Sequence, residues 1–168
     1  KLVEYQSEIA KYSNELASQS SVIHMSMTQA SQYGACMQLG AKLNTCHTIN
    51  SLELTILDFL TSMSLNGCIG IHSMSGTSQF SSSVNGVCSP VETNVIRLLK
   101  DKGRVYTFGN RKIFNHQLIS ILILNLPPED DDTAIFIDAL ASVIETIGAR
   151  LEFLIYKESL NEVQSLLK

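Results

Sequence analysis

Leu2, Ile9, Leu16, Ile23, Ala30 and Met37 stand seven residues apart, an unbroken ladder over the first quarter of the chain. An apolar repeat held for that long specifies a long helix with one greasy seam, and such a seam wants a partner. Helical throughout, the stretch reaches roughly 50 Å, more than a small domain needs to close its own core. A second seam carries Tyr5, Tyr12, Gln19, Ser26, Tyr33 and Gly40, which is polar and small for a tight two-stranded coil. The ladder therefore predicts a stalk over 2–43 that pairs loosely at its start and joins further helices in a bundle later on.

The 168 residues fit one domain plus this extension, and 45% hydrophobic content supplies a core. A net charge of −4 with no concentrated basic patch argues against nucleic acid. No apolar tract is long enough to span a bilayer. The chain begins at Lys1 without a signal-peptide pattern, which reads as a piece of a longer or processed protein. Cys36, Cys46, Cys68 and Cys88 contain no C-x-x-C and have apolar or small neighbours, so they read as reduced cytoplasmic thiols.

Asn50 and Glu53 form a plausible capping pair for a second helix carrying Leu52, Ile56, Leu57, Leu60 and Met63. Asn66-Gly67 stops it, and residues 68–74 and 80–84 read as two strands joined by a turn at Gly76. Ser89-Pro90-Val91-Glu92 is the cleanest local signal: a cap, a helix-opening proline and a reciprocal glutamate. The helix that follows is expected to bury Val91, Val95, Leu98 and Leu99 and to stop at Gly103. Residues 104–108 and 111–116 around Gly109-Asn110 read as a hairpin. The run 118–126 is apolar on both sides, which places a strand in the middle of a covered sheet. After Pro127-Pro128 and the acidic run 129–132, Leu140, Ile144, Ile147, Leu151 and Leu154 continue a second heptad seam. Near Tyr156 the stripe slips or the helix breaks.

The stretches Leu65-Asn66-Gly67, Cys88 through Glu92, Leu98 through Gly109 and Ser120 through Pro127 together resemble the GAF sensory-domain fold. More narrowly, they resemble a GAF-like region in the C-terminal half of bacterial response regulators. The resemblance implies an α+β fold with a central antiparallel sheet of about five strands and helices on both faces. A long helix precedes it and a long helix closes it. It divides the chain into a dimerisation helix at 1–43, a GAF-like domain at 44–157 and a helical tail at 158–168. It also implies an upstream receiver domain and a cytoplasmic, non-catalytic homodimer that relays a phosphorylation or ligand signal. The dimer seam would comprise the Leu2-to-Met37 ladder with Leu140, Ile144, Ile147, Leu151 and Leu154.

The marks of ligand-binding relatives are absent. The Asn-Lys…Phe…Asp-Glu constellation of cyclic-nucleotide binders cannot be assembled, and Cys46-His47 precedes the first strand, the wrong place for a bilin attachment. No cofactor is expected. His72, Phe80, Tyr106, Phe114 and His116 are candidates for a pocket on the sheet face away from the terminal helices, with room for a small molecule or a haem held by one histidine. Histidines and cysteines recur at none of the close spacings of a zinc site, so no metal is expected. Some GAF domains reduce methionine sulfoxide through cysteines. Cys88, just before a helix cap, is the candidate thiolate for that chemistry, against the alternative of a small buried residue. Arg104, Arg111 and Lys112 read as a solvated sheet edge, and the 129–132 carboxylates as a helix-start cluster.

Overall fold

A computed structural model describes residues 1–73, 78–128 and 130–168, without the side chains of Asp131 and Asp132. Met74, the Gly76 turn and Glu129 lie outside the described residues.

The order is α1 (Leu2–Thr45), α2 (Ile49–Ser62), β1 (Gly67–His72), β2 (Ser78–Ser82), α3 (Pro90–Leu99), β3 (Val105–Phe108), β4 (Arg111–His116), β5 (Ile119–Ile123) and α4 (Asp131–Leu166). The five strands form one antiparallel sheet in the order β2-β1-β5-β4-β3. The fold is α+β, with helices on both faces of the sheet. No helix among the described residues is long and apolar enough to cross a membrane.

Strand alternation assigns the two faces. Ile69, Ile71, Ile119, Ile121, Ile123 and Phe114 point to one side, where α1, α2 and α4 cover them in the larger core. Cys68, Leu122 and Ile113 point to the other, under α3. β5 is buried at every position, as its doubly apolar sequence requires.

α1 and α4 run in the same direction. Tyr33 and Gly40 face Asp138 and Thr146, and further along Arg150 donates to the Cys46 carbonyl at 2.6 Å, closing the end of α1. The first two-thirds of α1 therefore projects beyond the sheet, exposed on all sides. α4 continues unbroken past Tyr156, and its last turns project at the opposite end with Tyr156, Leu160 and Val163 exposed.

Four local expectations are corrected. α2 is capped by Thr48 and Ser51 reciprocally, not by Asn50 and Glu53. Glu53 is buried, 4% exposed, and its carboxylate accepts from Gln79 Nε2 at 2.7 Å and from Ser81 Oγ, tying α2 to β2. On α3, Ile96 is the fully buried residue, with Val95 and Leu99 beside it, whereas Val91 and Leu98 face solvent. Helix α3 ends at Leu99, four residues before Gly103, and the Leu99 and Gly103 carbonyls both accept from Asn115 Nδ2 on β4. Lys112 is buried and donates to Thr107 at 2.7 Å, and Arg104 reaches α4 through Glu145 (3.3 Å) and the Ala141 carbonyl. Of the three cations assigned to a solvated edge, Arg104 and Arg111 are exposed and Lys112 alone is buried. The Ser89–Glu92 capping box on α3 is formed as its sequence dictates, and Asp130 caps α4 by accepting from Thr133 N at 2.8 Å.

Candidate functional site

Among the described residues, the long helices carry most of the exposed large apolar side chains. Along α1, Leu2, Ile9, Leu16, Ile23, Ala30 and Met37 are all exposed. Near its end α1 meets its own subunit through Cys36, Leu39 and Leu43. Met37 lies one residue, or about 100°, round the helix from Cys36 and remains 76% exposed. The helix thus has two apolar faces, one filled by its own core and one, the ladder, left open. Helices in proteins draw most of their stability from packing an apolar face, and soluble monomers seldom keep such a patch uncovered.

The α4 half of the expected seam is corrected. Leu140, Ile144, Ile147, Leu151 and Leu154 are buried within the chain against the sheet, α1 and α2, so they cannot also meet a second copy. An open groove of about 320 Å³ lies between α1 and α4, lined by Tyr33, Met37, Gly40, Ala139, Ser142 and Thr146. Gly40 has open space around its Cα, so another backbone can approach there.

The five pocket candidates do not converge. His72, Phe80 and Tyr106 lie on the α3 face, whereas Phe114 and His116 lie on the opposite one. Phe114 is core, and Phe80 stacks beneath the Arg97 guanidinium at 5.1 Å. His72 is buried between Ser120 Oγ (2.9 Å) and Ser78 Oγ (3.3 Å). Burial, and then the Lys100 cation, lower its proton affinity against a smaller opposing pull from Asp101, so it is neutral near pH 7. His116 sits against Gly148 of α4 and 3.9 Å from Glu145. His72 and His116 do rim one open groove at the sheet's end, about 490 Å³, shared with Lys100, Asp101, Arg104 and Glu145. A cavity inside the larger core, between Phe59, Phe114 and Val143, measures about 20 Å³, room for no more than a water. His24 and His47 are exposed, on α1 and in the connector.

All four cysteines are buried free thiols. Two of them meet on the α3 face, which their twenty-residue separation does not announce. Cys68 from the start of β1, Cys88 from the loop before α3 and Glu92 from the first turn of α3 bring their donor atoms within 4.8 Å of one another. Cys88 Sγ lies 3.2 Å from the Ser81 carbonyl, and one Glu92 oxygen accepts from Ser89 N at 2.7 Å. A hydrogen bond from Cys68 is the main reason the Cys88 thiol is more acidic than usual, although burial opposes it. Donating to Cys88, together with burial and the Glu92 charge, pushes the Cys68 thiol far up. Burial raises the Glu92 carboxyl, but hydrogen bonds from Ser89 and Cys68 and the Arg111 charge outweigh it and leave a net decrease.

These features define an α+β domain, one sheet between a single helix and a three-helix layer, with a stalk at one end and a helical tail at the other. No family model, curated protein or solved structure matches the chain.

Proposed function

We propose that this chain is a non-catalytic, GAF-like signalling module that works as a parallel homodimer through α1. It would belong to a cytoplasmic bacterial response regulator, with a receiver domain preceding the stalk. The observation that carries the reading is the second apolar face of α1, from Leu2 to Met37, which its own subunit leaves open. The element order, the five-stranded antiparallel sheet and the two long helices packed on one face support the GAF resemblance. Parallel pairing follows from a two-fold axis along the stalk, which would bring both upstream domains to the same end.

A signal entering at the free end of α1 would change how the stalks pack and pass that change to the α1–α4 layer on the sheet. Two packings separated by a few kcal/mol suffice for a switch. Gln19, Ser26 and Gly40 on the flanking seam weaken the pairing and keep that gap small. The test is a cysteine at the seam. In a parallel pair the two copies of Ile9→Cys face each other and form an intermolecular disulfide under mild oxidation. A dimer that forms no such crosslink overturns the parallel stalk. The buried thiols on the α3 face favour a second reading, a sensor domain whose input is chemical.

A further inference from the structure

We propose that Cys68, Cys88 and Glu92 form a binding site for a thiophilic divalent cation, with zinc as the reference ion. The inference concerns the face of the sheet opposite α1 and stands or falls independently of the dimer.

Three observations carry it. The first is convergence: three donors from three separate segments lie within 4.8 Å of one another, and they form the one such cluster among the described residues. Zinc binds sulfur at about 2.3 Å and carboxylate oxygen at about 2.0–2.2 Å, which separates tetrahedral ligands by under about 4 Å. Side-chain adjustments of an ångström or less therefore close the cluster on an ion.

The second is burial. Cys68 is 0% and Cys88 7% exposed, in an apolar setting of Ile96, Ile113 and Leu122. Packing alone would be served as well by apolar side chains, and a carboxylate beside two thiols in such a setting carries a desolvation cost that a cation offsets. Glu92 accepts from Ser89 N through one oxygen and from the Cys68 thiol, and an ion that displaces the Cys68 proton takes the place of that second hydrogen bond while the cap stays intact.

The third is charge and donor type. Two thiolates and a carboxylate carry three negative charges, a divalent ion leaves one, and Arg111 and the positive end of α3 lie on that side. Two sulfurs with one oxygen select a soft or borderline ion over magnesium or calcium. Three protein ligands leave the fourth position open for water or an exchangeable ligand. Bound there, the ion would pin the start of α3 to β1, joining segments 20 residues apart in the chain.

The experiment is Co²⁺ titration of the full chain, held reduced with a phosphine and read by absorbance. One Co²⁺ per chain is expected, with thiolate-to-cobalt charge-transfer bands and the d–d bands of tetrahedral cobalt, all bleached by equimolar Zn²⁺. Cys88→Ser and Cys68→Ser should abolish the charge-transfer bands, while Cys36→Ser and Cys46→Ser retain them. Because Cys68 is fully buried in β1, Glu92→Gln provides a variant at a half-buried position on the first turn of α3. It should weaken Zn²⁺ at least by the roughly 10- to 100-fold that losing even an outer-shell partner costs. Circular dichroism reports whether each variant folds. No bands in the parent protein, or undiminished bands in folded Cys88→Ser, overturn the site.

Discussion

Leu16→Ala and Leu151→Ala remove the same atoms from the two long helices and should have opposite consequences. Leu151 is 0% exposed, packed between α4, the sheet and α1. Its truncation leaves a cavity and should cost about 2–5 kcal/mol of folding stability. Leu16 is 67% exposed in the isolated chain, on the part of α1 that is exposed on all sides. Three methylene equivalents at about 0.8 kcal/mol each, scaled by that exposure, come to about 1.6 kcal/mol per copy. A symmetric pair thus loses about 3 kcal/mol, roughly a hundredfold or more in dissociation constant. Urea denaturation over a dilution series separates the two. The Leu151→Ala deficit should be the same at every protein concentration. The Leu16→Ala deficit should vanish once the parent itself dissociates. A Leu16→Ala cost that persists on dilution, or a Leu151→Ala cost below about 1 kcal/mol, would refute the division between inner core and open seam.

Three other outcomes follow from single contacts. A Cβ on Gly148 would clash with the His116 ring, so Gly148→Ala should push that ring from Glu145. The overpacking outweighs alanine's helix preference and should lower stability by about 1–2 kcal/mol, read from the thermal midpoint. Glu53→Ala strands Gln79 and Ser81 beside α2 and should cost about 1–3 kcal/mol in urea denaturation. His72 titrates below its ordinary 6.5 because it is buried beside Lys100, so the folded chain takes up its proton less readily than the unfolded one. Its contribution is complete above about pH 6.5 and is lost as pH falls below that value, so His72→Gln should flatten the decline in urea midpoint from about pH 7 to 5. Superimposable profiles would contradict the assignment.

The element order was legible because its signals are local. Ser89-Pro90-Val91-Glu92 fixes a helix start by itself, and the doubly apolar Ile119–Ile123 strand can only be central. Misreadings arose where a choice depends on distant residues. Thr48-x-x-Ser51 and Asn50-x-x-Glu53 are overlapping caps, and what removes Glu53 from the second is Gln79 and Ser81, more than 25 residues away. The stripe on α4 is the same whether its cover is another chain or the chain's own sheet, so heptad spacing could not tell Leu151 from a seam residue. On α3 the stripe through Val91 and Leu98 lies about 150° round the helix from Ile96, with Val95 and Leu99 between the two. Only the sheet decides between them. The thiol cluster had one visible trace, Cys88 and Glu92 four residues apart. Its third member comes from a strand 20 residues earlier, and only β1 lying beneath the start of α3 completes it.

Sedimentation equilibrium of the unmodified chain across micromolar concentrations tests the central claim most directly. The account predicts a mass twice the 18.5 kDa of one chain, falling toward 18.5 kDa on dilution and fully so in Ile9→Asp. A species that stays at 18.5 kDa at the highest concentration, with α1 still helical by circular dichroism, would contradict it.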